Sequence, residues 1–223
     1  MAFAALVGLA ALIALAPCHA ALAHAATAAQ FGPAAPAGCT ANGTWWYEST
    51  QHGVAYRNVK AFGALGDGVT DDTDAILAAL TSGRKPVFTT ATPAAVYFPP
   101  GIYIVSASLP IYFYTFISGS PCAPSVVKLA DGKNFGGYVF DGDSGQGEWG
   151  DDDDSFYRGI SHLTILAGTG NPGATGLHWA QSQGGYLRDL KIDMSTGGKA
   201  GIMGENGSGG FLDRVLLIGS TVP

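Results

Sequence analysis

The chain has 223 residues, which is enough to bury a full hydrophobic core as one domain. Only 13% of the residues are charged, 33 are glycine and 11% are aromatic, a balance typical of all-β, loop-rich extracellular proteins. The net charge of -6 argues against a nucleic-acid partner, because no basic stripe is present to neutralise phosphates, and it favours neutral or sugar ligands.

The first residues have the composition of a secretory signal peptide. Residues 1–16 form an alanine- and leucine-rich run without a charge, and Pro17 interrupts it. A small-residue cleavage site around Ala25 predicts that residues 1–25 are removed and that the protein is secreted. The alternative is a membrane anchor, but the run is short for a bilayer and lacks flanking charges. We therefore expect no membrane partner.

The segment that follows is predicted to be a disordered leader. Residues 26–43 are rich in alanine, glycine and proline and show no periodicity. The N-G-T sequon at Asn42 lies in this segment, where we expect a glycan. Removal of the signal peptide takes Cys18 away, so Cys39 and Cys122 remain as an even pair in an oxidising compartment. We predict that they are disulfide-bonded.

A short, strongly capped helix is predicted within residues 62–80. Thr70, Asp71 and Asp72 offer side-chain oxygens to the free N–H groups of a new helix, and the helix dipole favours the carboxylates there. An apolar stripe that ends at Leu80 gives the helix one buried face. A catalytic or metal-binding role for the aspartates is the alternative, but capping explains them without further assumptions.

Short strands are predicted along the rest of the chain. Each run is β-branched or aromatic and is bounded by Gly, Pro, Asp or Ser. The predicted strands are 54–62, 96–98, 102–105, 111–117, 125–129 and 138–140. Residues 141–154 interrupt the series, and because seven of these fourteen residues are acidic, a solvated loop is expected there. Calcium binding is the alternative, but the spacing matches no calcium loop.

An internal repeat follows the acidic segment. Three hexads that begin at Ile160, Leu187 and Leu212 share apolar residues at their first, fourth and sixth positions, and their starts are 27 and 25 residues apart. A fixed period in the twenties is the signature of a solenoid whose coils bury their faces only against neighbours. The β-branched content and glycine-rich corners favour stacked parallel strands over leucine-rich repeats.

Four ordered motifs carry a resemblance to a known family. They are FGALGDGVTDDTDAI (62–76), VYFPPGIYIVS (96–106), GLHWAQSQGGYLRDLKIDMS (176–195) and ENGSGGF (205–211). The first is similar to the opening signature of pectate-lyase-like proteins, and together they resemble the N-terminal half of glycoside hydrolase family 55, the fungal β-1,3-glucanases. The resemblance implies a right-handed parallel β-helix with a capping α-helix over 44–223, and an incomplete solenoid.

The resemblance also implies a chemistry. Family 55 enzymes are similar to two tandem β-helices with an inverting active cleft between them, and the general-acid glutamate lies in the second. We expect this chain to lack that acid and to have the missing C-terminal half as its partner. Gln183 and Ser208 match positions that help to hold the attacking water, and Glu205 lies beside them as a cleft-wall residue. Gln181 competes with Gln183 for its role.

Two residues of the same motif are candidate sugar contacts. Trp179 could stack on a sugar or fill the coil, and His178 could act on substrate or be a hydrogen-bonded structural residue. For Ser208 the alternative is a tight glycine corner, with Asn206 stabilising a turn. No metal-ligand cluster, phosphate-binding loop or Ser-His-Asp order is present at useful spacing, so no metal or cofactor is predicted.

The sequence therefore predicts a secreted carbohydrate-active protein, the N-terminal β-helix half of a β-1,3-glucanase-like hydrolase. Its expected partner is β-glucan or another polysaccharide. Two alternatives stay open: a non-catalytic polysaccharide-binding β-helix, and a pectin-active lyase or hydrolase.

Overall fold

The computed structural model describes residues 56–82, 94–142 and 156–219. The predicted signal peptide, the leader, Asn42, Cys39 and nearly all of the acidic loop lie outside these residues. Cys122 is described and Cys39 is not, so their predicted disulfide stays a prediction. Within the described ranges no helix is long and apolar enough to cross a membrane.

The described chain winds into successive coils of short strands. In chain order the elements are β1 (Tyr56–Asn58), a 3-10 turn (Val59–Phe62), β2 (Asp67–Asp71), α1 (Thr73–Thr81), β3 (Ala94–Tyr97), β4 (Gly101–Val105), β5 (Leu109–Pro110), β6 (Thr115–Ser118), β7 (Ser125–Leu129), β8 (Tyr138–Asp141), β9 (Gly159–Ser161), β10 (Thr164–Leu166), β11 (Thr175–Gln183), β12 (Tyr186–Asp193), β13 (Ala200–Ser208) and β14 (Phe211–Ile218).

Strands one coil apart pair in parallel and form two sheets. One sheet has the order β1-β3-β6-β9-β12-β10-β7-β4-β2, with β14 also paired to β12, and the other has the order β13-β11-β8-β5. β12 pairs with β9 through its first half and with β10 through its second half, so this long strand joins two faces of the solenoid. The second sheet closes the third face. This architecture is an incomplete parallel β-helix, as predicted.

The apolar hexads lie in register between coils. Leu187 pairs with Ile160 on one side and with Leu212 on the other, and Ile192 pairs in the same way with Ile165 and Leu217. The side chains of Leu187, Ile192, Ile160 and Ile165 are fully buried. The predicted period is therefore confirmed as the spacing that stacks equivalent residues in one continuous core.

A positive φ turns the chain between the two halves of each hexad. His162, Asp189 and Arg214 occupy the third hexad position in successive coils, with φ angles of 55°, 51° and 51°. Their side chains form a ladder, in which the Arg214 guanidinium donates to Asp189 and His162 Nδ1 lies 3.4 Å from the same carboxylate. The hydrogen bond from Arg214 lowers the pKa of Asp189. The ladder thus links neighbouring coils at a strained corner.

Helix α1 packs against the core at the start of the solenoid. Its Ile76 and Leu80 side chains are fully buried, as the predicted stripe requires. The buried Arg57 of β1 donates through Nη1 to the carbonyls of Ala79 and Leu80, both at 3.2 Å. Since the last carbonyls of a helix have no partner within it, this contact ties the helix end to the first coil.

The capping prediction was right for one aspartate and wrong for its neighbours. Asp71 Oδ1 accepts the Thr73 N–H at 3.0 Å, but Asp71 itself belongs to β2. Asp72 occupies the cap position without a side-chain cap bond, because its carboxylate accepts the N–H groups of Leu65 (2.7 Å) and Gly66 (3.0 Å). Thr70 also belongs to β2 and does not cap the helix. The carboxylate of Asp72 thus binds the loop before the helix and not the first turn of the helix.

Two predicted strands are shorter than expected. The predicted strand 54–62 gives way after Asn58 to the 3-10 turn, since the Asn58 side chain accepts the Lys60 N–H. In the predicted strand 111–117, only the part from Thr115 is extended in β6, because Tyr114 has a φ of 53° and turns the chain.

Replacing Asp72 by alanine is expected to lower the free energy of unfolding by about 1.5–3 kcal/mol, the loss for hydrogen bonds to a charged acceptor. Its carboxylate is buried and holds two backbone N–H groups. Urea denaturation of Asp74→Ala is the matched control, because Asp74 is exposed in the first helical turn and contributes about 0.3–1 kcal/mol through the dipole. Equal losses in the two variants would contradict this role of Asp72.

Candidate functional site

The candidate site residues lie on β11 and β13, which are neighbours in the second sheet. The register pairs His178 with Met203, Ala180 with Glu205, Gln181 with Asn206 and Gln183 with Ser208. Paired residues of neighbouring parallel strands present their side chains to the same side of the sheet. The two motifs that are separated in the sequence therefore lie side by side, with Gln183 directly opposite Ser208.

A groove of about 470 Å³ runs over these two strands. Its lining is made by His178, Ala180, Gln181, Ser182, Gly204, Glu205 and Gly207. Of the predicted site residues, Glu205 and His178 contribute to the lining. Gln183 and Ser208 do not; both are exposed at the carboxyl ends of their strands, beyond the groove. The structure thus separates the predicted water-holding pair from the groove itself.

Two glycines keep the groove open and let β13 approach β11. A Cβ atom at Gly207 would lie 1.8 Å from the backbone oxygen of Ser182, and one at Gly204 would lie 2.4 Å from that of Trp179. Gly204 also has a φ of 117°, which disfavours any side chain. Both glycines lie within β13, so they allow the close approach of the two strands, and the chain turns after them at Gly209, which has a φ of 73°.

His178 is held by two residues of β8 in the preceding coil. Its Nδ1 lies 3.0 Å from Asp141 Oδ1, and its ring stacks on Tyr138 with centroids 4.4 Å apart and planes at 16°. An ionised carboxylate can only accept, so Nδ1 carries a proton and Nε2 is the nitrogen left for a ligand. The side chain of His178 is only 17% exposed, which restricts the ring to this orientation.

Sequence reasoning missed both partners of His178. The sequence predicts Asp141 as the first residue of the acidic loop, whereas it is the last residue of β8. The register that brings Asp141 beside His178 was not visible in the sequence, because β8 carries no copy of the apolar hexad.

The two candidate glutamines have different surroundings. Gln181 is 3% exposed, and its Nε2 donates to the carbonyl of Gln183 at 2.7 Å. Its Oε1 is buried and accepts no hydrogen bond from the described residues. Gln183 is exposed. Gln181 contributes to the groove lining, whereas Gln183 lies beyond its end, so the role of each stays a prediction.

Trp179 faces the core and not the groove. It is 2% exposed, and its indole Nε1 donates to Asn206 Oδ1 at 3.0 Å. The expectation that Trp179 contacts substrate is therefore wrong, since no sugar could reach the ring in this fold. Strand alternation explains the difference, because His178 and Trp179 are neighbours in β11 and must point to opposite sides.

The groove lining is rich in hydrogen-bond acceptors. It carries the Glu205 carboxylate, and none of its described residues is Lys or Arg. The buried Arg158 fastens the backbone nearby, since its Nη1 donates to the carbonyls of Gly142 and Ala180. In the described residues no group of three or more His, Cys, Asp or Glu side chains could hold a metal ion.

A family model agrees with the fold. The model described as rhamnogalacturonase A/epimerase, pectate lyase-like, matches residues 56–221. The iota-carrageenase solved with iota-carrageenan fragments has a TM-score of 0.55 with this chain at 14% sequence identity, and the match covers 85% of this chain and 38% of that one. At this identity the likeness concerns the fold alone, and it supports a parallel β-helix.

Curated relatives of two kinds match most of the chain. A probable glucan endo-1,3-beta-glucosidase of Arthroderma benhamiae is 39% identical over 178 residues, 74% of this chain and 20% of the relative. The non-secreted LysM effector LysM15 of Penicillium expansum is 35% identical over 178 residues, 74% of this chain and 12% of the relative. The chain therefore spans a fifth or less of these relatives. The resemblance to β-1,3-glucanases is confirmed.

Proposed function

Since the chain belongs to the rhamnogalacturonase A/epimerase, pectate lyase-like family, we propose that it binds a neutral β-1,3-glucan in the groove over β11 and β13. The glucosidase named above supports the choice of glucan. In this proposal the chain is secreted, carries a glycan at Asn42, has a Cys39–Cys122 disulfide, and forms one wall of a larger hydrolase.

The observation that carries the proposal is the chemistry of the groove lining. Glu205 offers carboxylate oxygens and His178 offers Nε2, so both form hydrogen bonds with sugar hydroxyls. A pectic chain carries a carboxylate on most of its sugars, and it would meet Glu205 with no Lys or Arg among the described lining residues to compensate. The lining therefore favours a neutral polysaccharide over a polyuronate.

Inverting hydrolysis requires an acid on one side of the sugar and a base that activates water on the other. In our proposal Gln183 and Ser208, which are exposed beside the groove, orient that water without carrying charge. We propose that the general acid comes from another part of the full enzyme, so this chain alone binds glucan without turnover.

The proposal is tested by titration calorimetry with a β-1,3-linked glucose hexasaccharide. Glu205→Gln is expected to weaken binding roughly 10- to 100-fold, the loss for a hydrogen bond to a charged acceptor. His178→Ala is expected to weaken it about tenfold for a neutral hydrogen bond.

Asp74→Asn is the control, since this carboxylate is exposed on α1, away from the groove. Oligogalacturonate is expected not to bind. Tighter binding of oligogalacturonate than of the glucan, or release of reducing ends from polygalacturonate, would contradict the proposal and favour the pectin-active alternative.

A second candidate is a non-catalytic role, in which a larger protein binds polysaccharide without cleaving it. The effector name of a 35% identical relative favours it. The two candidates differ in one measurement, the release of glucose from laminarin by the full-length gene product. Release supports the hydrolase, and binding without release supports the second candidate.

A further inference from the structure

A series of aromatic rings lies outside the groove. Phe113, Tyr114, Phe156 and Tyr157 form a corner cluster with ring centroids 5.4–6.4 Å apart. Phe116, Tyr186 and Phe211 form a stack on β6, β12 and β14, with centroids 6.0 and 5.6 Å apart and planes at 17° and 12°. Tyr114 joins the two sets through Phe116 at 5.8 Å. We call these seven residues the aromatic band.

Two residues of the corner cluster have a strained backbone conformation. The same corner is formed in successive coils by Tyr114, Tyr157, Gly184 and Gly209. The backbone N–H groups of the first three donate to the carbonyls of the residues that precede the next corner, which are Phe156, Gln183 and Ser208. Their φ angles are 53°, 54°, 64° and 73°. Glycine adopts this conformation freely, whereas a bulky residue there is strained by about 1–2 kcal/mol. Strain of this kind is concentrated at functional sites, where it is retained for the position of the side chain.

Two rings of the band, one at each end, are exposed to solvent, and the other five are half-buried. A Cβ atom at Gly184 would lie 3.0 Å from the Tyr157 ring, so the absence of a side chain there uncovers the ring, which is 49% exposed. At the other end Phe211 is 43% exposed, because in the described residues no further strand pairs with β14, and the Arg188 guanidinium lies over the ring, 5.2 Å from its centroid. Gly159 allows the stack to form, because its Cβ atom would lie 2.4 Å from the Tyr186 ring.

The band is continuous with the end of the groove strands. Phe156 pairs with Gln183 of β11, and the Tyr157 N–H donates to the Gln183 carbonyl at 3.0 Å. The exposed residue Gln183 is therefore bonded through its backbone to the exposed Tyr157, and the exposed Ser208 pairs with Gln183 in the next coil. Flat apolar rings beside neutral hydrogen-bonding groups match a pyranose, which has an apolar C–H face and a rim of hydroxyls.

We propose that the aromatic band is a second binding surface, on which a neutral β-glucan chain stacks its sugar rings as it leaves the groove. The inference rests on the proposed function for its ligand, but it concerns a different surface. A polysaccharide long enough to cover groove and band gains from both, whereas a short oligosaccharide in the groove gains nothing from the band.

The test uses a variant that removes the ring without straining the backbone. Tyr157→Gly places at this corner the residue that the next two coils already use, and so it is expected to fold. Its affinity for insoluble β-1,3-glucan particles, measured by depletion isotherms, is expected to fall roughly three- to tenfold, as for loss of one aromatic contact. Phe211→Ala is expected to have a similar effect, and Tyr157→Phe is expected to bind normally. Val69→Ala is the control, since Val69 is 85% exposed on β2.

The outcomes separate the two surfaces. Tyr157→Gly is expected to bind the hexasaccharide as the parent chain does, while Glu205→Gln weakens it. Unchanged particle binding in both Tyr157→Gly and Phe211→Ala would overturn the inference and leave the groove proposal intact. If the parent chain does not bind the hexasaccharide, the groove proposal is instead contradicted. A dimer that Tyr157→Gly dissociates in sedimentation equilibrium would show a protein interface and would also overturn the inference.

Discussion

Replacing Trp179 by alanine is expected to lower the free energy of unfolding by about 3–5 kcal/mol, the usual loss for a buried tryptophan. The ring is 2% exposed within the core shared by β11 and its neighbours, and its removal leaves a cavity that a rigid stack of coils cannot close. It also leaves Asn206 Oδ1 without the indole N–H. Urea denaturation followed by circular dichroism measures this loss.

Trp179→Phe separates packing from the hydrogen bond. A phenyl ring retains most of the apolar contact but cannot donate to Asn206, so a smaller loss of about 1–2 kcal/mol is expected. A marginal effect of Trp179→Ala on stability, combined with weaker glucan binding, would restore Trp179 as a sugar contact and contradict its burial.

Replacing Gly207 by alanine is expected to destabilise the fold by about 3 kcal/mol or more, at the upper end of overpacking effects. The added Cβ atom would lie 1.8 Å from the Ser182 oxygen and 2.5 Å from the Gln181 oxygen. These are backbone atoms of β11, so they cannot move unless the parallel pairing of β11 and β13 opens. The groove lies over the same pair, and glucan binding is therefore expected to be lost together with stability.

Gly209→Ala is the matched control for this prediction. A Cβ atom at Gly209 would meet no atom within 4 Å, but the φ of 73° disfavours alanine. A loss of about 1–2 kcal/mol is expected from the backbone conformation alone. If Gly207→Ala were no more damaging than Gly209→Ala in thermal unfolding, the close approach of the two strands would be refuted.

The coil architecture could be predicted because the same pattern of apolar residues recurs in successive coils. The apolar positions of the hexads at Ile160, Leu187 and Leu212 stack in the register that their period implies. Strand β14 shows that an apolar position is buried only where a neighbouring coil covers it. Leu212 is 52% exposed where Leu187 is fully buried, because in the described residues no further strand pairs with β14.

The local environments of the site could not be predicted in the same way. His178 and Trp179 are adjacent in one motif, yet the first contributes to the groove and the second to the core. Whether the odd-numbered or the even-numbered residues of β11 face the core depends on where the strand enters the sheet. The motif alone does not show that point of entry. The aromatic band was missed because its seven members come from distant segments and meet only at a shared corner.

By itself, the sequence determined the class of this protein: a period in the twenties, apolar hexads and glycine corners allow few packings other than stacked parallel strands. The tertiary structure alone decided which side chains meet across coils. Contacts such as His178 with Asp141 join residues 37 positions apart. Such contacts depend on the lengths and turns of every intervening segment, because a shift of one residue in a strand moves its side chains to the opposite face.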